Sequence, residues 1–143
     1  AADERDIVRT RSNARGEDVY LYRLQMNQAS ARALFLEYLN AANELRQKPR
    51  FYNTLTSNCT TIVFELARFI APALPMDYRL LLSRYFARYV YDLHGLTPGY
   101  RYDELQALGH INERALASDV SEDDFSMSIR QGVPGIPANE VNP

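Results

Sequence analysis

The chain has 143 residues, 46% hydrophobic and 24% charged, which suits one globular domain with a core able to stand without covalent staples. Its single cysteine excludes a disulfide within the chain, and a net charge of −2 argues against a nucleic-acid-binding surface. No apolar run reaches the roughly eighteen residues of a transmembrane helix, and Ala1 to Arg15 lacks the apolar core of a signal peptide, so the chain reads as a mature product or a piece of something longer.

Within the first fifteen residues Arg5, Arg9, Arg11 and Arg15 alternate with Asp3, Glu4 and Asp6, a mixed-charge strip rather than a basic arm. Val19-Tyr20-Leu21-Tyr22-Arg23-Leu24 follows Gly16 and is rich in aromatic and branched residues, which predicts a strand. A lone strand needs a partner, either the weak candidate Asp6 to Arg11 or segments outside this chain. Asn27 predicts the cap of a helix over 28–47, with Ala31, Leu34, Phe35, Tyr38, Leu39, Ala42 and Leu45 as one apolar stripe and Pro49 at its end.

After the aromatic Phe51-Tyr52-Asn53-Thr54-Leu55 comes a second helical pattern, Ile62, Val63, Leu66, Ala67, Phe69 and Ile70, which Pro72 and Pro75 close. Asp77 is the expected cap of a helix over 78–93, and Asp103 that of a last one over 104–117, weakened at Gly109. From Asp119 the acidic run and then Gly132, Pro134, Gly135 and Pro137 predict an irregular tail over 119–143.

The segment Ser57-Asn58-Cys59-Thr60-Thr61 carries the chemistry. Ser57 or Asn58 can cap the helix, which puts Cys59 in its first turn, where the helix dipole and unpaired amides favour a thiolate. The opposing reading is a buried structural cysteine, a common fate of this residue. Asn58-Cys59-Thr60 also fits the glycosylation pattern, but the apolar helix that follows at once argues against it.

A cysteine nucleophile needs a base or an ion-pair partner, normally histidine, and only His94 and His110 are present. His94, before Gly95 at an expected helix end, is the better base candidate because loops carry function more often; His110 is expected inside a helix. One cysteine and two separated histidines show no metal-ligand spacing, and no cofactor is expected. Leu82, Phe86, Tyr89, Val90 and Leu93, with Arg79, Arg84 and Arg88, also suggest contact with a membrane surface, although an amphipathic helix beside a core needs no lipid.

The order Arg15-Gly16-Glu17-Asp18-Val19-Tyr20-Leu21-Tyr22-Arg23-Leu24, long helix, Phe51-Tyr52-Asn53-Thr54-Leu55-Thr56-Ser57-Asn58-Cys59-Thr60-Thr61 resembles the bacterial Lnb N-terminal periplasmic domain family. The later stretches Arg84 to Leu93 and Asp124 to Arg130 look like that family too, so the resemblance covers nearly the whole chain. The family is named for an enzyme of bacterial lipoprotein N-acylation and is similar to papain-like thiol enzymes of the NlpC and lecithin retinol acyltransferase group.

The resemblance implies an α+β fold, mostly helical in this chain, that is part of a papain-like architecture lacking upstream sheet strands. It implies a periplasmic or cell-envelope location and a lipid or lipoprotein acyl substrate. It maps Cys59 onto the nucleophile with Asn58, Thr60 and Thr61 as motif neighbours, and it maps no histidine. The chain is then either the C-terminal part of a longer domain, with the histidine on an upstream strand, or a single domain that has lost its catalytic base. Two readings remain open: a cysteine-dependent acyltransferase or hydrolase domain, and a noncatalytic helical interaction module around a buried cysteine.

Overall fold

Asp3 starts the first helix, α1 (Glu4–Arg9), by accepting the Arg5 N–H at 2.8 Å, and Glu4 and Asp6 in the first turn suit the helix dipole. The computed structural model describes residues 3–49, 59–80, 82–120 and 124–137. They fall into two compact units: Ala1–Leu24 with Leu96–Pro143, and Gln25–Gly95.

In the first unit α1 widens into a π-helical turn, Thr10–Ala14, so the stretch expected as a weak strand over 6–11 is helical. Its side chains decide this. Asp3 caps the start, Val8 packs on the core, and buried Ser12 donates to the Val8 carbonyl at 2.8 Å. Residues 17–24 are extended but build no ladder. Their backbone pairs through isolated bridges, Tyr20 with His110 and Leu24 with Leu96, and Asn112 satisfies both the Val19 N–H (2.9 Å) and the Glu17 carbonyl (2.9 Å).

The helix expected over 104–117 is two helices, α5 (Tyr102–Gly109) and α6 (Asn112–Val120). At the break, the Leu21 N–H donates to the Gly109 carbonyl (2.8 Å) and the Ile111 N–H to the Val19 carbonyl (3.0 Å), so hydrogen bonds to the extended segment replace helical ones. α5 also starts earlier than expected, because Glu104 reaches back to the Arg101 N–H at 2.8 Å and leaves Asp103 inside the first turn. The expected irregular tail contains a helix, α7 (Phe125–Arg130), capped by Asp124. Phe125, Ile129 and Val133 bury in one core with Ile111 and Ala115, on which Val8, Val19, Leu21 and Ile136 pack. A bidentate pair joins the ends of this unit: Arg130 donates to both Glu4 oxygens at 2.8 and 2.9 Å.

The second unit opens with α2 (Gln28–Gln47), where the Asn27 carboxamide accepts the Ser30 N–H at 2.8 Å, as the sequence predicts. α3 (Cys59–Ile70) follows. The helix expected over 78–93 is instead two 3₁₀ turns, Tyr78–Leu80 and Ser83–Tyr85, and a short α4 (Phe86–Asp92). Tertiary contacts break it: Leu80 is driven into the core with Phe64 and Tyr89, while Arg79 is drawn to Asp77 and Asp92. Phe86 and Val90 pack on that core and Tyr89 is 3% exposed, whereas Leu82 and Leu93 of the face suggested for a membrane stay exposed.

Among the described residues there is no sheet, and the α+β papain-like expectation is corrected to a helical fold. The branched and aromatic composition of 19–24 favours extended backbone, but bridges to a helix break and one asparagine satisfy its polar groups without a second strand.

Candidate functional site

Cys59 is the first residue of α3, and Thr60 and Thr61 complete the start of its first turn; Asn58 lies outside the described residues. α3 has twelve residues and no acidic side chain in its first turn, where the helix dipole is partially positive. Farther along, Phe64 and Leu66 are buried, and Phe64 meets Tyr89 edge-on with ring centroids 6.4 Å apart. That contact ties the cysteine helix to α4.

Tyr89 is held from two other sides. Its hydroxyl donates to the Pro75 carbonyl at 2.7 Å, and the Arg79 guanidinium stands 5.4 Å over its ring. Arg79 in turn forks onto Asp77 at 3.0 and 2.8 Å and reaches Asp92, which also accepts from Arg88 at 3.1 Å. The guanidinium of Arg79 holds the carboxyls of Asp77 and Asp92 below the ordinary carboxylate range. This network links Asp77, Arg79, Arg88, Tyr89 and Asp92, which the sequence places on one amphipathic helix and its cap, and it meets α3 through Phe64.

His94 ends α4 in a Schellman turn. Its N–H donates to the Tyr91 carbonyl at 2.8 Å and that of Gly95 to the Val90 carbonyl at 2.9 Å, which puts His94 in the left-handed region at φ 57°. The following glycine is required by space, because a Cβ at Gly95 would stand 2.9 Å from Val90 Cγ1. The exposed His94 is thus placed by its backbone, in the same unit as Cys59.

His110 belongs to the other unit and lies at the α5–α6 break rather than inside a helix. Its Nε2 is 3.1 Å from Asp18 Oδ1, and its ring lies 5.1 Å from that of Tyr20. Sequence reading missed this pair, since nothing local links residues 92 positions apart. Beside it Arg114 donates to the carbonyls of Leu108 and His110, each at 2.9 Å, and of Gln131, closing the end of α5 and the turn after α7. Burial pushes the Arg114 guanidinium down and the nearby Tyr22 phenol up.

Among the described residues no three histidine, cysteine or acidic side chains gather as a metal site, and no helix is long and apolar enough to cross a membrane. Comparison with curated proteins found no match, nor did comparison with solved structures. The family model for the Lnb N-terminal periplasmic domain matches residues 1–84, which include Cys59; apart from Arg84, the later stretches that resemble the family lie beyond it. With more than half of its residues matched, the chain belongs to the Lnb N-terminal periplasmic domain family.

Proposed function

We propose that the chain is the thiol-bearing part of a cell-envelope acyltransferase or hydrolase, with Cys59 as nucleophile and lipid or lipoprotein acyl groups as the substrate class. The observation that supports this best is the position of Cys59 as the opening residue of α3, with no acidic residue in its first turn. A thiolate is favoured there by the partial positive charge of the helix dipole.

In the reaction proposed, the Cys59 thiolate attacks the acyl carbonyl carbon and forms a C–S bond. The bond to the leaving oxygen or nitrogen breaks, the leaving group takes a proton, and an amine or water then attacks the thioester and frees the thiol. The amides of Thr60 and Thr61 are the donors assigned to the developing oxyanion.

The test is the pH dependence of iodoacetamide alkylation of the folded chain, whose midpoint is expected below the value of about 8.5 for a free thiol. An activated long-chain acyl ester should then leave its acyl group on Cys59 by intact mass, and Cys59→Ala should accept none. Alkylation only after unfolding, together with marked destabilisation by Cys59→Ser, would establish the buried structural cysteine instead.

A further inference from the structure

The large apolar side chains of α2 face away from the unit that holds it. At about 100° per residue, Ala31, Phe35, Tyr38, Leu39 and Ala42 fall within about 60° of Phe35. All five are exposed, Phe35 at 62% and Leu39 at 46%. The half-buried positions are Ser30, Ala33, Leu34, Glu37 and Ala41, on a different side of the helix, and α2 is in contact with α3. Burial therefore goes to mostly small residues while the larger ones stay in solvent, an arrangement that marks a surface awaiting a partner.

Charge on α2 is divided along the same line. Arg32 and Arg46 lie within about 60° of Phe35, whereas Glu37 and Glu44 lie about 160° or more from it. The second unit as a whole has eight Lys and Arg against five Asp and Glu, net +3, in a chain whose total is −2. An apolar stripe with cations on it and anions opposite complements an apolar surface edged with negative charge. A second copy of the chain complements it poorly, since a parallel symmetric contact sets each arginine against its own copy and an antiparallel one centred on Leu39 sets Arg32 against Arg46.

We propose that α2 lies along a bilayer containing anionic phospholipid. Phe35, Tyr38 and Leu39 enter the boundary between headgroups and acyl chains, and Arg32 and Arg46 meet lipid phosphates. The proposal stands apart from the chemistry of Cys59 and holds for a catalytic or a noncatalytic domain.

The chain has no tryptophan, so Phe35→Trp supplies a single emission reporter at an exposed site where substitution leaves the core intact. With vesicles of equal phosphatidylcholine and phosphatidylglycerol, the emission of the full chain should shift to the blue and the protein should float with the lipid. Leu39→Ser added to this background should weaken binding roughly tenfold, and Arg32→Glu with Arg46→Glu at least tenfold, while circular dichroism shows each variant folded. Absence of both shift and flotation overturns the proposal. So does binding that ignores these substitutions, or a concentration-dependent shift without lipid in which light scattering finds twice the mass.

Discussion

Gly109→Ala isolates the contact that replaces the expected sheet. A Cβ at this buried position would stand 2.7 Å from the Leu21 carbonyl oxygen, a backbone atom that has no rotamer by which to escape. By helix propensity alone alanine should stabilise α5 by about 1 kcal/mol. Against this, clearing the clash means moving the extended segment away from the α5–α6 break. That loosens the Leu21 to Gly109 and Ile111 to Val19 hydrogen bonds, about 1 kcal/mol each, and lifts Val19 and Leu21 off the core, about 1 kcal/mol more even if each loses only part of its burial. The loss outweighs the gain, and net destabilisation of about 2 kcal/mol is expected. Urea unfolding followed by circular dichroism measures it, and because the chain has two units, amide exchange at Leu21 should be followed alongside to locate the effect in the first. A variant as stable as the parent, with Leu21 equally protected, would refute the docking of residues 19–21 on Gly109.

Two further outcomes follow from the same geometry. His94→Gly relieves a left-handed φ of 57° at the end of α4 and should raise stability by about 1 kcal/mol in thermal or urea unfolding; an unchanged Cys59 alkylation profile in this variant would remove His94 as its base, and an upward shift would establish the pairing. Glu4→Gln removes a bidentate partner of Arg130 and should cost about 1 kcal/mol at neutral pH. The Arg130 hydrogen bonds hold the Glu4 carboxyl below its ordinary 4.5, so its contribution is fully present above that value and is lost as pH falls through the lower folded value; urea midpoints of parent and variant should differ at pH 7 and converge in acid.

What could be read from the sequence is what neighbours along the chain decide. Asn27 capping a helix that ends at Gln47 before Pro49, and Cys59 at the head of α3, follow from cap chemistry and apolar spacing, which act within one or two turns. The 3₁₀ turns before α4, the burial of Phe125 and Ile129 in a segment that looked like tail, and the pairing of His110 with Asp18 were not legible, because each rests on residues beyond the one or two turns that capping and spacing read. The same holds for α2, whose apolar stripe was visible but whose outward direction was not. The stripe of Ala31, Leu34, Phe35, Tyr38, Leu39, Ala42 and Leu45 says only that one side of the helix is apolar; of these only Leu34 is half-buried, with Ser30, Ala33, Glu37 and Ala41, and the rest stay in solvent. By itself, then, the sequence determined where the long helix and the cysteine helix begin, since capping and periodicity are local free energies. The tertiary structure alone decided that residues 19–24 build no sheet and which face of α2 is left exposed, since those depend on where distant backbone and side chains find their partners.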